Sequence, residues 1–130
     1  MKIIDGTNAV LGRLASYVAK ESLKGEEFVI LNCDQVIITG TKKNIQGKFE
    51  ERRSRGGSSQ KNPVHIRSSE GIVKRAIRGM LPDHRSGKGK IAFKNIKCFN
   101  KIPKEFKEAK KITAGKEKPN KFIQIKEISK

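Results

Sequence analysis

The order of apolar and polar residues divides the chain into short segments of contrasting period. Lys2-Ile3-Ile4-Asp5 is a brief apolar run closed by the turn residues Gly6, Thr7 and Asn8, the pattern of a strand. From about Ala9 to Lys24, Leu11, Leu14, Ala15, Val18, Ala19 and Ser22 recur at helical spacing, Arg13 and Lys20 fall off that stripe, and Gly25 supplies a C-terminal stop. Phe28-Val29-Ile30-Leu31 is apolar without interruption, as expected of a strand covered on both faces. Strand, helix and strand in such quick succession predict a βαβ unit with a parallel pair and a right-handed crossover. Val36-Ile37-Ile38 predicts a further strand ending at Thr39-Gly40.

The second half is more polar and its periods are weaker. A helix is expected from Thr41 to about Arg53, with Ile45 and Phe49 on one face, although Gly47 weakens it. Residues 54–67, with Gly56-Gly57-Ser58-Ser59 and Asn62-Pro63, have too few apolar groups for a core and predict a mobile basic loop. Ser69 is placed to cap a second strong helix, Glu70 suits its positive end, and Ile72, Val73, Ala76, Ile77 and Met80 form its apolar stripe before Pro82 ends it. A short helix over Ser86 to Asn95, a half-buried strand at Ile96-Lys97-Cys98-Phe99 and a last strand near 122–126 complete the reading. Lys104 to Thr113 fits no single template. The length, 130 residues, suits one domain.

Charge changes this picture most. Residues 1–41 hold four basic and five acidic side chains, whereas residues 42–130 hold 26 basic and eight acidic ones, so a net charge of +17 arises wholly from the second part. Two stretches, Arg52 to Arg67 and His84 to Lys104, contain no acid. Self-repulsion on that scale calls for a polyanion, and nucleic acid is the partner it implies. A membrane surface fits poorly: no apolar run approaches the roughly eighteen residues needed to span a bilayer, no signal peptide is evident, and Trp is absent with a single Tyr.

Enzymatic chemistry finds little support. Between the first strand and first helix, Gly6 to Arg13 sits where a phosphate-gripping loop would lie, but five residues separate Gly6 from Gly12, Arg13 replaces the lysine, and Leu14 stands at the metal-binding hydroxyl position. Gly12 is therefore expected to serve packing. Gly87-Lys88-Gly89 lacks the third glycine of a dinucleotide motif. His65 and His84 lie in or beside the basic runs, Asp5 and Asp34 are placed for turn roles, and no nucleophile, base and orienter assemble. Cys33 and Cys98 lack metal-ligand spacing and are expected to be small buried thiols. No cofactor, metal or small-molecule substrate is expected.

Among modes of nucleic-acid binding, six Phe and one Tyr, most in core patterns, leave no platform for stacking successive bases. Lys and Arg on helices and Gly-rich loops suit phosphate and groove contacts on a large folded RNA. The candidates are Arg52, Arg53, Arg55, Lys61 and Arg67 in and beside the loop, Lys74, Arg75 and Arg78 on the helix, and Arg85, Lys88 and Lys90 beyond it.

Four ordered motifs carry a family resemblance: Leu11-Gly-Arg-Leu-Ala-Ser16, Ile30-Leu-Asn-Cys-Asp-Gln-Val-Ile-Ile-Thr-Gly40, Arg75-Ala-Ile-Arg-Gly-Met-Leu-Pro82 and Ile102-Pro-Lys-Glu-Phe106. Over residues 2–106 the chain resembles the large-subunit ribosomal protein family called L thirteen. That resemblance implies a three-layer α/β/α domain on a parallel four-stranded sheet, a structural role on large-subunit ribosomal RNA beside neighbouring large-subunit proteins, and a place in cytoplasmic ribosomes. The near-direct run from Gly25 to Phe28 resembles the archaeal and eukaryotic branch, and the absence of a long helical extension points to the archaeal one. Cys33 stands where the family usually has Ala, and the segment after Phe106 matches no family motif. Two other readings stay open here: a nucleotide-dependent enzyme on a doubly wound sheet, and a free regulator of messenger RNA.

Overall fold

Every residue of Phe28–Leu31 is buried, because this strand, β2, lies inside a parallel sheet with apolar material on both faces. In the computed structural model, which describes residues 1–55 and 64–129, β1 (Lys2–Asp5) pairs with β2 in parallel register, Ile3 opposite Val29 and Ile4 opposite Ile30. On the other side of β2 lies β4 (Ile96–Cys98), and on the other side of β1 lies β5 (Ile112–Thr113), both parallel; the order is β4-β2-β1-β5. The remaining elements, in chain order, are α1 (Leu11–Ser22), β3 (Ile37–Thr39), α2 (Lys42–Ser54), α3 (Ser69–Met80), α4 (Gly87–Lys94), β6 (Phe122–Gln124) and α5 (Ile125–Ile128). The expected α/β class with a parallel four-stranded sheet is what the chain adopts. No described helix is long and apolar enough to cross a membrane.

Alternation along the strands divides the core in two. Ile4, Phe28, Ile30 and Ile96 face Leu14, Ala15 and Val18 of α1, Val73 and Ile77 of α3, and Ile125 and Ile128 of α5. Ile3, Val29 and Leu31 face the opposite way, onto Phe99, Ile102, Phe106 and Ala109. That second covering comes from the segment after β4, ordered around a 3-10 turn at Lys104–Phe106. The uninterrupted apolar run of β2 thus serves two cores by turns, as a strand buried on both faces must.

Several elements depart from the sequence reading. The strand expected at Val36-Ile37-Ile38 is present as β3, but it stands outside the main sheet and pairs antiparallel with β6. The fourth strand of the sheet comes instead from the ambiguous stretch 104–113. The last strand ends at Gln124, where the chain turns into α5. Helix α3 begins one residue earlier than expected: Ser68 is the cap, and its carbonyl accepts from the Ile72 N–H at 3.0 Å. Neither serine caps it with a side chain; Asn100 Oδ1 accepts from the Glu70 N–H at 2.9 Å, and Ser69 is buried with its hydroxyl unpartnered among the described residues. Met80 is 47% exposed, because the apolar stripe of α3 runs past the end of the core beneath it. Of the expected loop over 54–67, residues 56–63 lie outside the described residues.

The turn after β1 is held by Asp5. Its Oδ1 accepts from the Thr7 N–H (3.0 Å), the Thr7 hydroxyl (2.7 Å) and Asn32 Nδ2 (2.9 Å). Partial burial pushes the carboxyl up, but the hydrogen bonds from Thr7 and Asn32 outweigh it and hold Asp5 below the ordinary carboxylate range. This acid has a turn role, as its position at a strand end suggests.

Two neighbouring positions on the apolar stripe of α3 should answer differently to truncation. Ile77 is fully buried, so Ile77→Ala should cost about 2–5 kcal/mol in denaturant unfolding. Met80→Ala should stay within about 0.5 kcal/mol. Equal losses would place Met80 in the core.

Candidate nucleic-acid interface

Two basic surfaces emerge from the candidate residues. The first forms where α2 ends beside α1 and α3, around a pocket of about 560 Å³. Arg52, Arg53 and Arg55 reach it from α2 and its end, Arg75 from α3, and His65 from the segment leading into α3. Its apolar lining comes from Leu11, Phe49, Ile66, Ile72 and Ala76, and no acidic residue is among its described lining. Helix α2 has no fully buried residue; Ile45 and Phe49 are its partly buried contacts with the core. It is a basic arm lying on the domain, held by one thin apolar edge.

The arginines of this pocket are not equivalent. Arg55 is exposed and ion-paired with Glu51 one turn back. Arg53 is half-buried, with its guanidinium 5.8 Å from the centroid of the Phe49 ring. Its Nε and Nη2 are buried without a hydrogen-bond partner among the described residues. Buried donors left unpaired cost on the order of 1–3 kcal/mol, more on a charged group, so Arg53 is poised toward an acceptor. Arg52 is exposed and Arg75 half-buried.

The second surface follows α3. Lys74 is turned inward, its Nζ 5.0 Å from the centroid of Phe93 on α4, while His84 meets the same ring edge-on at 6.1 Å. Arg78 is half-buried, and Arg85, Lys88 and Lys90 are exposed around the start of α4. Asp83 shapes the turn before it: its carboxylate accepts from the Arg85 N–H at 3.0 Å and the Ser86 hydroxyl at 2.6 Å. The Ser86 hydrogen bond, then the Arg85 N–H, keep this carboxyl below its ordinary range. Gly89 explains the Gly-Lys-Gly-Lys pattern without phosphate binding. A Cβ there would lie 2.3 Å from the Pro82 carbonyl oxygen and 2.4 Å from that of Asp83, so only glycine lets α4 rest on the turn and send Lys88 and Lys90 outward.

Of the other candidates, Arg67 is exposed and Lys61 lies outside the described residues. Lys94, Lys97 and Lys101 are also exposed and belong to the second acid-free run, the signal that marks them. The pocket lining is the feature that periodicity conceals, since Leu11, Phe49, Ile72 and Ala76 all carry core-like spacing. Gly12, expected to serve packing, is exposed with nothing within 4 Å of where its Cβ would stand. Cys33 is buried as expected, but Cys98 is only partly so. The β2–β4 pairing brings the two together, and a hydrogen bond with the Cys98 thiol, followed by burial, pushes the Cys33 thiol up.

The two glycines should respond with opposite signs. Gly89→Ala should destabilise the protein by about 1–3 kcal/mol through overpacking, whereas Gly12→Ala should stabilise it by about 0.4–1 kcal/mol. Thermal unfolding of both variants is the check, and a stabilising Gly89→Ala would refute the close approach of α4 to the turn.

The family described as Ribosomal protein L13 matches residues 1–105. The large ribosomal subunit protein uL13 of Thermoplasma volcanium is 43% identical over 110 residues, an alignment covering 85% of this chain and 79% of that protein. The protein of the same name from Methanocaldococcus jannaschii is 40% identical over 133 aligned positions, covering 100% and 96% respectively. A third, from Methanosphaera stadtmanae, is 37% identical over 129 residues, covering 97% and 90%. These relatives are archaeal, in keeping with the short link between α1 and β2. With the match spanning three of the sheet's four strands, α1 to α4 and both basic surfaces, the chain belongs to the ribosomal protein L13 family.

Proposed function

We propose that this chain is a structural constituent of the large ribosomal subunit, binding large-subunit ribosomal RNA through arginine and lysine contacts to phosphates and so supporting subunit assembly and translation. The observation that carries this reading is the gathering of Arg52, Arg53, Arg55 and Arg75 around one pocket, in a chain whose relatives are named as large-subunit proteins. Arg67, Arg78, Arg85, Lys88 and Lys90 extend the contact surface, with Lys74 backing it from Phe93; Lys61, outside the described residues, is counted with them for its place in the basic sequence run. Phosphate contacts fix position and orientation on RNA with little need for sequence reading. The role is non-catalytic. Neighbouring large-subunit proteins are its other expected partners. The place of work is the ribosome, in the cytoplasm.

In extract from growing cells the protein should sediment with the large subunit and leave it only at high salt; a mainly soluble pool would contradict the proposal. Arg52 and Arg85 sit on different surfaces and are exposed. Arg52→Gln and Arg85→Gln should therefore each change stability by no more than about 0.5 kcal/mol. Each should flatten the dependence of log affinity for large-subunit RNA on log salt by roughly one. Unchanged slopes would remove these residues from the interface.

A further inference from the structure

The pocket between α1, α2 and α3 combines two properties that phosphate binding alone does not require. A phosphate needs cations, and a ridge of exposed lysines would supply them. Here the cations surround a concave apolar surface made by Leu11, Phe49, Ile72 and Ala76, in a volume within the range of small-ligand pockets. Arg53 adds buried donors, Nε and Nη2, that lack an acceptor among the described residues. An occupant that satisfies all three demands has an anionic group for the rim, a flat apolar face for the lining, and hydrogen-bond acceptors on its edge for Arg53.

We propose that this pocket receives a single unstacked nucleotide of the bound RNA, its base against the apolar lining with an edge acceptor toward Arg53, and its phosphate at Arg52 and Arg75. The proposal rests on the RNA-binding reading above and deepens it: the protein would hold one base out of the RNA stack as well as neutralise its backbone. Charge complementarity selects an anionic occupant, since no acid is among the described lining. The apolar lining selects a nucleotide over a bare phosphate, and RNA recognition commonly uses such splayed bases. Sequence composition excludes a continuous stacking platform but leaves room for this one seat, because its aromatic ring, Phe49, lies on the weakly amphipathic α2.

The test uses the full chain and purified large-subunit RNA. Ultraviolet crosslinking of the unaltered protein, followed by mass spectrometry, should place a base crosslink on Phe49 or His65. Ala76→Phe fills the pocket from α3 and leaves every basic side chain unsubstituted. With thermal unfolding showing the variant folded, it should bind the RNA about tenfold more weakly or worse, the loss of one stacked base. Undiminished binding by folded Ala76→Phe, or crosslinks confined to residues outside the pocket, would overturn the base seat while leaving the RNA-binding reading intact. Failure of the unaltered protein to bind the RNA at all would overturn both. The four free nucleoside monophosphates form a separate arm. They should bind no tighter than millimolar, and micromolar binding of any of them would overturn the proposal by assigning the pocket to a free nucleotide.

Discussion

Unmatched positive charge is the constraint on which the rest of this structure depends. Residues 42–130 carry 26 basic and eight acidic side chains, so pairing every acid internally would still leave 18 cations. Ion pairs such as Lys42 with Glu127 and Arg55 with Glu51 are exposed and contribute little against that surplus. The domain must hold these charges near one another until a polyanion arrives, and its small apolar core has to resist their repulsion.

The architecture meets this by separating the two tasks along the chain. The first 41 residues, with a net charge of −1, build β1, α1, β2 and β3 and supply much of the main core. The basic part is then attached at a few apolar points: Ile72, Val73 and Ile77 of α3, the partly buried Ile45 and Phe49 of α2, Ile96 of β4, and Ile123, Ile125 and Ile128 of β6 and α5. Long charged side chains are left at the surface or, like Lys74 over Phe93 and Arg53 over Phe49, laid on aromatic faces that offset part of their desolvation. The packing of α3 against α1, with Phe49 of α2 beside them, creates the arginine-rimmed pocket.

What the sequence reveals follows from the range of the interactions. Strand β1, helix α1, strand β2 and helix α3 are legible because each is defined by its own period and, for α1, by Gly25 beyond its end. Strand β5 is not: two residues, Ile112 and Thr113, are too few to show a period, and only pairing with Ile4 and Asp5 makes them a strand. The cap of α3 is equally hidden, since Asn100 is 30 residues from Glu70. Cys33 and Cys98 become neighbours only through the β2–β4 pairing. In the site the division is similar. Arg52, Arg53 and Arg55 stand out in an acid-free run, whereas the pocket lining hides among core-like positions, and the meeting of Arg52 with Arg75 from α3 is a tertiary fact.

If uncompensated charge governs this molecule, the free protein should be measurably strained by it. The most direct test is the melting temperature of the free chain across a sodium chloride series, with large-subunit RNA added at the lowest salt in a parallel sample. Screening should raise the melting temperature steadily as salt rises, and the RNA at low salt should raise it further than salt alone. A melting temperature indifferent to salt, or one that falls with it, together with no gain from the RNA, would contradict the account.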